Sequence, residues 1–444
     1  MLLYTPHITT RLQYIVGFFS KELFDTPMRL TTDKAEFLGA TGPRINYSDL
    51  DLSAPASATP IPGVFSIIPT PLLFEPGITP QQIECFEYKG YKAFFATTSG
   101  DFPFDIFAAT FYLLSRYEEY LPHDKDEYGR YAHTNSLAWR EDFLDLPLIN
   151  YWLLEFKMTL LRWYPEAVFR YPDFKFVPTY DIDLAYSFLH KGWQRNLAAG
   201  AKEFLTGKWS RLKQRIDVLS GHRQDPFDAY EWLDALHLYC RMKPYYFFLA
   251  ASECKGVDRN IPRGPALDQL LRYHAAGYRL GIHPSWQSGD NDRLLGEELA
   301  WFEKVTDLRI TRSRQHYLRL SLPHTYRRLL FYGIDQEFSM GYGSINGFRA
   351  SVASSFYWYD LEKEEETGLR IFPFCFMDAN AFYEQKYTAA QAMSELMHYY
   401  HHIRKVNGLM VTIWHNTFLG TDASFSGWRQ VYEVFLKEEV FWDM

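Results

Sequence analysis

The second half of the chain alternates between short apolar runs and segments with helical spacing. The first run, Phe176-Val177-Pro178-Thr179-Tyr180, ends on Asp181-Ile182-Asp183. Further apolar runs lie at residues 245–250, 278–283, 315–318 (with a shorter one near 309), 335–339, 369–377 and 409–414. Between them, residues 228–240, 266–276, 294–305, 324–332 and 388–406 set apolar side chains three and four apart, the spacing of one helical face. Strand–helix alternation of this kind predicts parallel strands joined by crossover helices. The fold class is therefore α/β, with about seven strands against the eight of a complete (β/α)-barrel.

Residues 1–168 lack this alternation. Leu12, Ile15, Val16, Phe19 and Leu23 give residues 8–24 one apolar helical side, and residues 105–120 and 146–164 read as amphipathic helices. Residues 53–62 are rich in Pro, Ser and Ala and read as a loop, and residues 84–96 read as a hairpin around Gly90. The pattern predicts a smaller α/β or α+β accessory domain over 1–168, followed by the strand–helix domain over 169–444. Asp101, Asp105, Arg116 and Glu118 are expected to be solvated helix charges, with a place along an interface as the alternative. Residues 189–220 are locally basic, with Lys191, Arg195, Lys202, Lys208, Arg211, Lys213 and Arg215. A solvated helical face is the ordinary reading. Peripheral contact with an anionic membrane is the second, and an anionic glycan or lipid-linked substrate a third.

Composition narrows the classes. The chain has 444 residues, of which 47% are hydrophobic, so general disorder is excluded. Aromatic residues reach 18%, and most must be core even if a few line a sugar-binding cleft. A net charge of −8 argues against nucleic acid as a partner. No apolar run is long enough to span a membrane, and residues 1–7 lack the basic start of a signal peptide. Cys85, Cys240, Cys254 and Cys375 are scattered without metal-binding spacing, as expected of reduced thiols in a cytoplasmic protein. Any metal must then be held by His and carboxylate.

Such residues gather where the predicted strands end, which is where barrels build active sites. Asp181 and Asp183 share one face of an extended strand, and two like charges there call for a cation or a proton between them. His283 ends a strand, His316 follows another, Arg349 lies in Gly347-Phe348-Arg349, Asp378 ends Phe376-Met377-Asp378, and His415 ends Ile413-Trp414-His415. Each alone has a plain structural explanation, Asp183 as a helix cap for example. Together they divide into roles. Asp183, His283 and His316 form a carboxylate–imidazole set for a divalent metal. Asp181 is the candidate general base and His415 the general acid. Arg349 is expected to pair with Asp181, and Asp378 to orient His415. Trp286, Tyr317 and Trp414 are candidates for stacking on a sugar ring, with core packing an equal alternative. Such a set suits hydrolysis of an amide or ester.

These segments resemble the motifs of the polysaccharide deacetylase family, carbohydrate esterase family four, over residues 170–444. Thr179-Tyr180-Asp181-Ile182-Asp183 resembles the first motif, which supplies the base and a metal ligand. His283 resembles the first histidine of the second motif, and Gly347-Phe348-Arg349 the third, whose arginine contacts the base. Asp378 resembles the fourth motif and Ile413-Trp414-His415 the fifth, which supplies the acid. The resemblance implies a distorted (β/α)-barrel, a divalent metal (zinc first, with cobalt, nickel or iron as alternatives), and removal of acetyl groups from N-acetylated, or less often O-acetylated, sugars. The front half resembles the accessory domain of some bacterial cytoplasmic relatives. One position departs from the pattern: the histidine expected four residues after His283 is Gln287, so the second imidazole is assigned to His316. The oxyanion is expected against a backbone N–H near Gly347 to Arg349 or Tyr317. Two other readings stay open. One is a weakly active or inactive glycan-binding relative. The other is a glycoside hydrolase using Asp181 and Asp378 as its carboxylate pair.

Overall fold

The computed structural model describes residues 1–52 and 63–441. The Pro-, Ser- and Ala-rich segment 53–62 lies outside the described residues. The chain begins with a parallel sheet in the order β2-β1-β3-β4, formed by β1 (Leu2–Tyr4), β2 (Arg29–Thr31), β3 (Arg44–Tyr47) and β4 (Phe65–Ile67). Helix Thr10–Leu23 opens on Thr9, whose hydroxyl accepts from Leu12 N at 3.1 Å. It buries Leu12, Ile15, Val16, Phe19 and Leu23, the side that the spacing predicts. The expected hairpin is β5 (Phe86–Tyr88) and β6 (Tyr91–Ala93), turning at Gly90 with φ +84°.

The remaining strands are β7 (Lys175–Ile182), β8 (Tyr245–Leu249), β9 (Arg279–His283), β10 (Arg312–Ser313), β11 (Gln336–Glu337), β12 (Phe356–Asp360), β13 (Glu365–Ile371), β14 (Phe376–Met377) and β15 (Leu409–His415). They form one sheet in the order β12-β13-β11-β10-β9-β8-β7-β15-β14. Every neighbouring pair is parallel except β12 with β13, so the expected mixed α/β architecture with parallel strands is present. The sheet is not a closed seven-stranded barrel. Its edges are β12 and β14, and β12–β13 adds an antiparallel ribbon that the sequence pattern passed over.

One expected strand divides. Residues 369–377 read as a single apolar run, yet β13 pairs with β11 while β14 pairs with β15, far apart in the sheet order. Pro373 interrupts the run, and without an N–H it cannot donate to a ladder. Likewise, residues 316–318 are a 3-10 turn, not strand, because Tyr317 and Leu318 take left-handed backbone angles of +58° and +51°.

One apolar core runs from Leu3 to Val440 and includes residues on both sides of 168. Three charges expected in solvent are buried in that core. Asp105 caps helix Ile106–Leu114 through Ala108 N and accepts from Tyr47 Oη at 2.8 Å. Arg116 pairs with Glu118 at 2.9 Å and Glu119 at 2.7 Å, because the helix stops at Leu114 and the chain turns inward at Arg116. Arg349 joins this network through Glu119, at 2.8 and 2.5 Å. Among the described residues, no helix is long and apolar enough to cross a membrane. The basic stretch folds as helices Trp193–Leu205 and Trp209–Leu219, and their outer side also exposes Trp193, Leu197, Phe204, Leu205 and Trp209.

Candidate active site

The long central strands set the site. In the ladder between β7 and β15, Asp181 sits directly opposite His415, so the candidate base and acid arrive side by side. Asp183, one residue past the end of β7, turns toward His283 at the end of β9 and toward His316 in the turn after β10. His283 Nε2 lies 3.1 Å from Asp183 Oδ1, and His316 Nε2 lies 3.6 Å from Asp183 Oδ2. One ligand atom from each of the three residues falls within 4.8 Å of the others, a cluster able to hold a divalent metal.

Hydrogen bonding orients both imidazoles for such a role. His283 Nδ1 faces the Arg314 carbonyl at 2.5 Å, and His316 Nδ1 faces Asp258 Oδ1 at 2.7 Å. An Nδ1 that donates to an acceptor leaves the neutral ring's lone pair on Nε2, which here points at the cluster. Asp183 Oδ1 is buried and takes no hydrogen bond of acceptable angle. Burial works against protonation of His316, yet Asp183 and Asp258 raise it to about 9. Burial also pushes against ionisation of Asp183, but His316 and His283 hold its carboxyl well below the usual range. The corner favours positive charge, from a proton or from a metal.

His415 is held from behind by a carboxylate. Asp378 accepts from its backbone N at 2.7 Å and from Nδ1 at 2.6 Å, leaving Nε2 toward the cleft, 3.6 Å from Asp183 Oδ2. Burial opposes its positive charge, but Asp378, with Asp183 and Asp181 beyond it, raises the imidazole to about 10.

The expected Arg349–Asp181 pair is not formed. Arg349 is committed to Glu119, and the guanidinium on Asp181 belongs to Arg314, with Nη1 2.8 Å from Oδ1. The same Nη1 lies 2.7 Å from Thr179 Oγ1, and Arg314 Nε donates to the Phe338 carbonyl at 3.0 Å. Arg314 reaches Asp181 because it lies on the exit of β10, three sheet positions from β7, whereas Arg349 follows a loop that folds back onto the front half. Two of the three stacking candidates also lie elsewhere. Trp414 is core, against Tyr432 and Trp428, and Trp286 is half-buried beneath Arg319, whose guanidinium lies 4.1 Å from its ring. Tyr317 does line the cleft, which has a volume of about 630 Å³. The N–H groups of Gly347 and Phe348 already donate to Cys375 and Leu144, so they are spent as oxyanion donors.

Besides Arg314, three contributors lie outside the predicted set. Asp258 comes from the loop after β8. Gln287, at the position where a histidine was expected, donates to Asp258 Oδ2 at 3.2 Å, so it supports the carboxylate that orients His316. Arg130 comes from the front half of the chain. Its Nη1 donates to the Tyr317 carbonyl at 2.7 Å, and Tyr128 packs on the Tyr317 ring at 5.1 Å. A Cβ at Gly343 would fall 1.9 Å from Arg130 Nη1, so this approach requires glycine. The only signal for Arg314 was its place two residues before His316. Asp258 and Arg130 carried none.

Residues 1–165 match the model of a family of unknown function, DUF7033. No curated protein matches the chain. Among solved structures, a candidate polysaccharide deacetylase from Mycobacterium smegmatis aligns over 61% of this chain and 87% of its own, at 12% identity and a TM-score of 0.39. That likeness is too loose to define even the fold.

Proposed function

We propose that the chain is a divalent-metal-dependent deacetylase acting on an N-acetylated, or less often O-acetylated, sugar, with residues 169–444 as its catalytic part and 1–168 as an accessory part. The observation that carries this reading is the convergence on one cleft of the Asp183–His283–His316 cluster, the Arg314-held Asp181 and the Asp378-held His415. The motif resemblance, which rests on these same residues, points the same way.

Asp183, His283 and His316 would hold the metal, zinc first by the donor set, which would supply Lewis acidity toward an acetyl oxygen and acidify water. Asp181, fixed by Arg314, accepts the proton of the attacking water. His415 delivers its Nε2 proton to the departing sugar nitrogen, and Asp378 stabilises the imidazolium beforehand. Tyr317 offers an aromatic wall for the sugar. A glycoside hydrolase reading requires a second open carboxylate, and Asp378 is fully buried with both oxygens on His415. The test is incubation of the zinc-loaded protein with N-acetylated sugars, following acetate and reducing ends separately. Acetate release that is lost in Asp181→Asn and His415→Ala supports the reading. Reducing ends without acetate overturn it, and binding without either product favours a glycan-binding protein.

A further inference from the structure

A second cavity of about 440 Å³ adjoins the cleft and carries five cations: Lys191, Arg195, Arg211, Arg215 and Arg259. Arg259 lines both cavities, and the chain leaving β7 lines both as well, through Leu184 in the cleft and Ser187 in its neighbour. Two of the cations are neutralised. Arg215 forks onto Glu203 at 2.9 and 2.6 Å, and Arg211 reaches Asp422 at 3.1 Å. The nearby Asp225 is occupied by the backbone N–H groups of Ser187, Phe188 and Leu189. Lys191, Arg195 and Arg259 form no ion pair among the described residues. Arg195 and Arg259 donate only to the carbonyls of Cys254 and Gly256, which leaves their charge in place. A solvated helix would spread such charges toward water. Here they converge on one concavity from the segment after β7, from two helices and from the loop that carries Asp258. Burial, aided by Arg215, Arg211 and Arg195 and opposed by Asp225, lowers Lys191 to about 8. That is the signature of a surplus of positive charge in a partly enclosed space, which an anion would relieve.

We propose that this cavity seats a phosphate or diphosphate group, and that the substrate of the adjoining cleft is an acetylated sugar that carries one. The second clause rests on the deacetylase reading; the first does not. Guanidinium groups fit phosphate oxygens in paired hydrogen bonds, and a substrate anchored there would present its sugar across Arg259 to the metal cluster. The phosphate can come from a soluble nucleotide-type ligand or from a lipid. The exposed Trp193, Leu197, Phe204 and Trp209 on the flanking helices would suit the second source.

The test uses full-length metal-free protein, so that no ligand acts by chelating the metal. Inorganic pyrophosphate and UDP are titrated by calorimetry, and vesicles of phosphatidylglycerol with phosphatidylcholine are compared with phosphatidylcholine alone by sedimentation. Binding of pyrophosphate or UDP at sub-millimolar concentration supports a soluble source, and binding of the anionic vesicles alone supports a lipid source. In either case Lys191→Ala/Arg195→Ala should weaken binding about tenfold or more, from the loss of charge-assisted bonds. Lys213→Ala, on the exposed side of the second helix, should bind as the parent does. Absence of binding in every arm, or equal weakening by Lys213→Ala, overturns the anion seat. If neutral acetylated sugars are deacetylated while nothing anionic binds, the seat fails and the deacetylase reading stands. Pyrophosphate binding without acetate release from any sugar, phosphorylated ones included, has the opposite meaning.

Discussion

The assignment of His316 as the second imidazole can be tested through a graded series behind it. Asp258 Oδ1 lies 2.7 Å from His316 Nδ1, and Gln287 Nε2 lies 3.2 Å from Asp258 Oδ2. Asp258→Asn keeps the shape and one carbonyl oxygen, which can still accept from Trp286 N, but it removes the charge. A hydrogen bond to an ionised group is worth about 1.5–3 kcal/mol and a neutral one about 1, so roughly 1–2 kcal/mol of ring orientation and basicity is lost. That predicts zinc binding weaker by about tenfold, within the range of about 10–100-fold found when partners behind a metal ligand are removed. Gln287→Ala, one bond further out, should cost only a few-fold. His316→Ala removes a ligand and should weaken binding by far more than either. Competition against a chelator with known zinc affinity measures all three, with thermal unfolding of the metal-free proteins as a control on folding. If His316→Ala binds zinc as the parent does, the cluster as described is wrong. If Asp258→Asn leaves affinity unchanged while His316→Ala destroys it, the ring is fixed by packing alone and the argument from its Nδ1 bond fails.

Other outcomes follow from the same geometry. Asp378, with Asp183 and Asp181, raises His415 to about 10 despite burial, so if His415 is the acid the alkaline limb of kcat should lie near that value. Asp378→Asn should move that limb downward, toward the ordinary imidazole range near 6.5, as a pH–rate profile would show. Arg349→Ala should lower stability by about 3 kcal/mol, by leaving Glu119 buried with Arg116 alone, while zinc affinity in a chelator competition stays at the parental value. Glu119 itself is opposed by burial but held down to about 2 by Arg349 and Arg116. Its folded pKa is depressed, so its stabilising contribution is full above the usual carboxylate range and is lost as pH falls through about 2, which acid titration of the far-UV signal would follow. Gly343→Ala should push Arg130 off the Tyr317 carbonyl and weaken zinc binding several-fold, with a smaller change in melting temperature.

The residues that line the candidate site were easier to place from the sequence than the short strands around them. Asp181, Asp183, His283 and His415 end strands whose apolar runs set them apart, and in β7, β9 and β15 a strand end is read within a residue or two. The short strands failed for a physical reason. β10, β11 and β14 have two residues each, too few for any alternation to register, so their neighbours in the ladder hold them in place. The buried charges failed for another. Arg116, Glu118 and Glu119 look like a solvated helix end, and distant partners such as Arg349, more than two hundred residues away on Glu119, make their burial tolerable. No local pattern carries that information.

The same logic explains the shape of the cluster. A histidine four residues after His283 would be placed by its own loop, with short-range geometry to hold it. His316 instead rides on a turn whose Tyr317 and Leu318 backbones are left-handed, a conformation that persists only where surrounding contacts impose it. Those contacts come from three separate places: Asp258 on the ring, Gln287 behind Asp258, and Arg130 on the Tyr317 carbonyl. Placing the second imidazole on the exit of the neighbouring strand β10, and not on the loop of His283, thus transfers the work of positioning from local sequence to tertiary structure. It also ties the front half of the chain to the cleft. Arg130, braced by Asp126 at 2.6 Å, reaches the turn only if residues 124–132 are folded against it. If residues 169–444 are the catalytic part, expressing them alone should leave the His316 turn without its Arg130 contact, and zinc affinity in a chelator competition should fall below that of the full chain.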